Sequence, residues 1–344
     1  MLLESCAVKR ICDVDRIAPK PPLAKQGPIF DVNTGPLHWA RRLTPTADLF
    51  VLAHLCVPNV SKSDWSLDIC GLVDRPASIS FDQLLSYPKR TIEAAVQCAG
   101  DPFEPAKPAR LIANVRWGGV DLKELFQDVG VHPAASHLWA YGLDYGEFGG
   151  AQTSHYRKDV PLTQVATGDV MVAYELNGEP LSLEHGYPAR LVVPDFYGTN
   201  SVKWLCRVEL ADKRAEGIFT TRLYNDRIQG GGTKPVWVIE PESIFVSPAP
   251  DSKLQLKASE IWGWAWSSSP IKLVEVSFDG GRTWWEAQTA SRHEHSWQKF
   301  SIDWSPPQEG QYELRCRATD DQGRVQPATG ARNSIHAVNV VVER

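Results

Sequence analysis

The stretch AAVQCAGDP, residues 94–102, sets one cysteine, Cys98, between an apolar run and a glycine-containing turn. No second cysteine lies within three positions of it. A thiolate is a soft donor suited to soft metals. A thiol beside a histidine base is a nucleophile. A lone cysteine also packs as a small buried hydrophobe. Position alone leaves all three readings open.

A second cluster, NGEPLSLEHGYPARLVVPDFYGTNSVKWL, gathers His185, Arg190 and Lys203 among Gly and Pro turns. Guanidinium forks and ammonium groups suit phosphate, and glycine-rich backbone offers N–H donors to an anion. The plain alternative is ordinary surface cations. Both cations lie in or beside apolar strands, where an unpaired charge is costly, and that favours an anionic ligand. In AYGLDYGEF, Asp144 can accept from the N–H groups of a purine or pterin or close an Asx turn. His54, in TPTADLFVLAHLCVP, has apolar neighbours and reads by itself as a satisfied core histidine.

The elements that must position these residues follow from pattern. ISFDQLLSYP reads as a short helix capped by Ser80, leading to a strand at RTIEAAVQC. GVDLKELFQDVGV is an amphipathic helix with Leu122, Leu125 and Phe126 on one side and Gly130 as its stop. DVMVAYEL and ARLVVPD are apolar strands. A triple glycine in NDRIQGGGTKPVW marks a junction between about Asp226 and Pro250. Beyond it, LVEVSFDGG, WGWAWS, YELRCRA and IHAVNVVV alternate with period two, the signature of short strands in a sandwich. Eight of the thirteen tryptophans fall between Trp237 and Trp304, which sets this part apart in composition.

Several classes are excluded or disfavoured. With 344 residues the chain is long enough for two domains. A net charge of −5 gives no ground for a nucleic-acid partner, and no apolar run approaches a membrane span. GxGxxG, P-loop, CxxC and CxxCH patterns are missing, so neither a nucleotide fold nor covalent haem is expected. The odd count of seven cysteines predicts reduced thiols. No export signal is read in MLLESCAVKRICDVDRI, so the expected location is the cytoplasm, or the periplasm if a leader has been removed.

Taken together, QCAGD, NVRWGGVDLKELF, the long block VMVAYELNGEPLSLEHGYPARLVVPDFYGTNSVKWL and VEVSFDGGRTW resemble the sulfite oxidase family of molybdenum enzymes, from about Pro28 to the C-terminus. The resemblance implies an α+β chain. Residues 1–228 would form a mixed α/β molybdopterin-binding domain, with 1–27 as an extended arm. Residues 240–344 would form an all-β immunoglobulin-like dimerisation domain. It implies a homodimer holding one Mo-molybdopterin per chain, with no haem of its own and with an external electron carrier such as a cytochrome c.

By position, the resemblance makes Cys98 the protein ligand of molybdenum, the other sulfurs arriving on the cofactor. Phe50, Val51, Leu52, Ala53 and His54 would line the pterin, Asp144 would bind it, and His185 with Arg190 would hold it. Ser201, Val202 and Lys203 would lie near its phosphate. Tyr224 would be an active-site tyrosine able to move a proton.

Two departures bear on substrate. Sulfite-oxidising members carry FxxRNH where this chain has LFVLAH, so Leu52 and Ala53 replace Arg and Asn. They carry AGNRR where this chain has Asp101, Pro102 and Phe103 after the glycine. The expected chemistry is two-electron oxygen-atom transfer in a less cationic pocket, with Lys107, Arg110 and Arg222 as possible replacements for the missing cations. The alternatives are a neutral sulfoxide or other oxo-substrate, or a non-catalytic binding protein on the same scaffold.

Overall fold

The computed structural model describes residues 20–31, 39–100, 111–167, 169–228, 230–329 and 332–344. Two large sheets, with several two-stranded ones around them, build the first part. One has five strands in the order Arg157–Pro161, His137–Gly142, Leu205–Ala211, Ser66–Gly71 and Ala77–Ser80. Leu205–Ala211 is buried at every position, as a strand covered on both faces should be, and it runs parallel to Ser66–Gly71. The other sheet orders Glu179–Pro180, Met171–Leu176, Ile112–Asp121 and Lys89–Gln97, all antiparallel, with Arg190–Val192 pairing Met171–Leu176 from the side.

Helices are few and short among the described residues. Phe81–Ser86 starts on a complete capping box, in which the Ser80 hydroxyl accepts from Gln83 N and the Gln83 side chain accepts from Ser80 N. Leu122–Val129 is capped by the Asp121 carboxylate and stops at Gly130, whose φ of 68° lies in the left-handed region. Its buried face is Leu122, Leu125, Phe126 and Val129, as the periodicity predicts.

The second part is a sandwich of a four-stranded and a five-stranded sheet. Alternation fixes which side faces in: Val274 and Val276, then Leu314, Cys316 and Ala318, then Val338, Val340 and Val342 are all buried. Each fully buried Val or Leu adds roughly 1.5–3 kcal/mol, which makes these three strands the main source of the sandwich's cohesion.

Cys98 follows the last residue of the Lys89–Gln97 strand. Its N–H donates to Leu111 O at 2.9 Å, so the ladder to the neighbouring strand continues one residue past the strand's end. The same strand is an edge, and the sandwich covers it: Ala95 N donates to His295 O and His295 N to Glu93 O.

One expectation fails. Cys56, Cys98, Cys206 and Cys316 are not in disulfides, but Cys70 is disulfide-bonded. Cysteine spacing carries no information about pairing between distant segments, so the sequence could not show it.

Candidate active site

One cavity in the first part collects most of the singled-out residues. Phe50, Leu52, Ala53 and His54 line it at the Val51–Ala53 strand, which pairs with Ile29–Asp31. Asp144 enters from the loop after His137–Gly142, held there by Tyr156 N donating to Asp144 O and Leu143 N to Trp204 O. His185, Arg190, Ser201, Lys203, Cys98 and Tyr224 complete the wall. Val51 and Val202 do not line it. Val51 is only partly buried, and Val202 is fully buried in the core.

Arg190 is buried, with its guanidinium 4.9 Å from the Trp117 ring centre. Its two terminal nitrogens donate to His185 O at 2.9 Å and Ser201 O at 3.0 Å. Burial lowers it to about 10, which still leaves a cation at neutral pH. Lys203 donates to Glu184 O at 2.7 Å. Burial pushes the Lys203 ammonium down and the Asp144 carboxyl up, while each favours the other's charged form. Gly186, with φ 105°, lets the two cationic stems converge: a Cβ there would stand 3.1–3.2 Å from Lys203 and Arg190 atoms.

His54 and Tyr224 form a pair, Tyr224 Oη lying 2.5 Å from His54 Nε2. Burial lowers His54 to about 4, helped by Lys203 and Lys158, so the ring is neutral. Burial also raises the Tyr224 phenol well above its usual range. Two neutral groups therefore share one hydrogen bond, and which one donates depends on the imidazole tautomer. Phe148, Tyr156 and Phe219 pack around the His54 ring. His54 is thus more than a cavity lining, because it fixes the phenol. Tyr224 itself takes φ 56°, left-handed for a bulky residue, two positions after the π-helical turn Ile218–Arg222.

Trp117, Tyr156, Thr199 and Trp204 also line the cavity and were not singled out from the sequence. Trp117 and Trp204 sit inside quoted motifs, yet an indole in an apolar strand looks the same whether it faces core or ligand. Tyr156 lies outside every quoted motif; its hydroxyl donates to Thr199 O at 2.8 Å. Arg222 is exposed and does not line the cavity. Lys107, Arg110, Asp101, Pro102 and Phe103 lie outside the described residues.

Three buried polar atoms of this cavity have no hydrogen-bond partner in the protein: Arg190 Nε, Trp117 Nε1 and Asp144 Oδ1. Each orphan costs about 1–3 kcal/mol. Two donors and one acceptor around one cavity match a polar heterocycle with its own acceptors and N–H groups. No group of three or more His, Cys, Asp or Glu able to hold a metal occurs among the described residues.

Residues 54–219 match the family model for an oxidoreductase molybdopterin binding domain, and residues 233–342 that for a Mo-co oxidoreductase dimerisation domain. Sulfite oxidase of Gallus gallus is 30% identical over 318 residues, covering 83% of this chain and 68% of that protein. The chain belongs to the sulfite oxidase family of molybdopterin oxidoreductases. Mitochondrial sulfite oxidase of Rattus norvegicus is 29% identical over 341 residues, or 87% of this chain; the match spans 62% of that protein's length. Among solved structures, the sulfane dehydrogenase SoxCD from Paracoccus pantotrophus aligns with a TM-score of 0.76 and 32% identity, covering 89% of this chain and 84% of its own. The predicted α+β architecture with an all-β C-terminal domain stands, although the first part holds more sheet and shorter helices than the sequence suggested.

Proposed function

We propose that this chain is a molybdopterin-dependent oxidoreductase that oxidises sulfur in a substrate without a compact dianionic charge, working as a homodimer that passes electrons to an external carrier. The observation that carries this reading is the cavity wall of Phe50, Leu52 and Ala53 beside Cys98. It is apolar where the FxxRNH motif of sulfite-oxidising members places an arginine and an asparagine. The described cations of the cavity, Arg190 and Lys203, are already tied to backbone carbonyls. The likeness to a protein named a sulfane dehydrogenase supports a sulfur substrate other than sulfite.

The Cys98 thiolate would hold the molybdenum. Arg190 Nε and Trp117 Nε1 would donate to the pterin, Asp144 Oδ1 would accept from it, and His185 with Lys203 would face its anionic end. Bound there, the cofactor supplies two-electron oxidation with an oxygen drawn from water. Everything else belongs to the chain. Phe50, Leu52 and Ala53 keep water from the substrate side. Tyr224 keeps its proton at neutral pH and holds Oη where a developing charge can be met. His54, neutral and buried, fixes that hydroxyl through their shared hydrogen bond.

The test is direct. Cys98→Ser should fold, shown by an unchanged Tm, and lose turnover, while the parent protein binds equimolar molybdenum by elemental analysis. Full turnover in the serine variant would overturn the ligand assignment. Missing cations in a desolvated pocket typically cost about 2–5 kcal/mol, so sulfite should show kcat/KM at least about 30-fold below that of an uncharged sulfur substrate. A higher value for sulfite would refute the substrate class.

A further inference from the structure

Two consecutive residues of the sandwich reach three segments that carry the cavity. Asn333 is fully buried, with φ 58°. Its Oδ1 accepts from Gln97 Nε2 at 3.0 Å, and its Nδ2 donates to Tyr197 Oη at 3.1 Å and Glu240 O at 2.8 Å. Arg332 makes a two-pronged pair with Asp226, at 3.0 and 3.1 Å, and its guanidinium lies 5.3 Å from the Tyr197 ring centre.

Three of the four residues so held, Gln97, Tyr197 and Asp226, are next to, or two positions from, a wall residue of the cavity. Gln97 precedes Cys98, and it is held again by Glu242 and by Trp266, whose Nε1 donates to its Oε1 at 3.0 Å. On the other side of Cys98, Ala99 is buried in the same seam cluster as Trp264 and Trp297. Tyr197 precedes Gly198 and Thr199, both in the wall. Asp226 stands two residues after Tyr224, whose carbonyl accepts from Val236 N at 2.9 Å.

We infer that Arg332 and Asn333 of the sandwich are positioning residues for the oxidoreductase site: Asn333 fixes the strand end that presents Cys98, and Arg332 fixes the turn that presents Tyr224. The inference rests on the function proposed above for Cys98 and Tyr224. The physical case is one of rigidity. Tyr224 holds an unfavourable φ, which persists only where surrounding contacts over-determine it. Asp226 is on the short Asn225–Arg227 strand, paired to Thr233–Pro235 alone, so an anchor from outside that hairpin is needed. Gln97 has four polar directions and no solvent, and the sandwich supplies its partners.

The experiment uses the full chain loaded with cofactor. Arg332→Ala, Arg332→Lys and Asn333→Gly are made; glycine tolerates the φ at 333 while removing the side chain. Partners that orient a ligand through another residue usually account for about 10- to 100-fold in activity. Arg332→Ala should therefore lose kcat in that range with KM nearly unchanged, while molybdenum content and dimer mass stay as in the parent. Arg332→Lys should recover part of the loss, since it keeps the charge but not the fork. Asn333→Gly should shift the thiolate-to-metal absorption band and, without cofactor, speed hydrogen exchange at the Cys98 amide by about tenfold.

Unchanged kcat, band and exchange in these variants would overturn the inference, and so would activity lost only in step with lost molybdenum. If Arg332→Ala fails to fold, the lysine variant and the exchange measurement still decide it. Wild-type turnover in Cys98→Ser would instead sink the assignment of the metal ligand and leave the exchange result intact, so the two failures are distinguishable.

Discussion

At Tyr224 backbone and side chain are committed to one purpose. The residue holds φ 56° and shares a hydrogen bond with a neutral, buried His54. Tyr224→Phe keeps the ring but strands His54 Nε2. We expect kcat to fall by about 10²–10⁴-fold, the usual range for a positioned proton donor, with stability lower by about 1–3 kcal/mol; a kcat within twofold of the parent would contradict this. Three buried histidines also set a pH dependence. His54, His185 and His336 are each lowered by burial to about 4 from 6.5. The unfolded chain thus binds more protons between these values, so their stabilisation is complete above about pH 6.5 and is lost as pH falls toward 4. Thermal melts across that window should show Tm dropping, and His336→Asn, remote from the cavity, should flatten part of the slope. Much of this cavity was legible through the family resemblance, which named Cys98, Asp144, His185, Arg190 and Lys203, whereas the residue types alone left Cys98 and Asp144 open. Trp117, Tyr156 and Thr199 were not, because their use depends on which way an already apolar segment faces.

At the scale of elements, pattern served best where one face is buried and one is wet. The Ser80 cap, the Leu122–Val129 helix with its Gly130 stop, and the alternating sandwich strands all formed where the periodicities put them. The Val51–Ala53 strand was read only as a stretch near the cofactor, since three residues carry too little period. Glycine marks a constraint that pattern does not explain. At Gly263, within Ser259–Trp266, a Cβ would stand 1.9 Å from Ile244 O and 2.7 Å from the Phe300 ring. Gly263→Ala must force the two strands apart. We expect a loss of at least about 1–3 kcal/mol by denaturant melts; an unchanged midpoint would show that the strands separate more easily than this packing implies.

For the whole molecule, the two parts meet in a packed seam rather than across a loose linker. Trp39, Ala95, Ala99, Ile112 and Tyr197 form one buried cluster with Ile244, Trp264, Trp266 and Trp297. Trp264 stacks on Trp297 at 4.8 Å and donates to Trp39 O at 2.6 Å. The tryptophan-rich composition read as a mark of the sandwich alone; three of those indoles belong to the contact with the first part, which single-chain periodicity cannot reveal. Calorimetry should therefore show one unfolding transition, and two resolved peaks would mean the seam is weaker than its burial.

The covered edge of the Lys89–Gln97 strand, capped by His295, carries a consequence for anyone recombining such proteins. A sandwich transplanted from a relative brings different residues to that edge and to Gln97 beside Cys98. Grafts joined at the glycine-rich junction will inherit a foreign brace along the strand that ends beside Cys98, and exchange at the margin of one module will be felt in the cavity of the other.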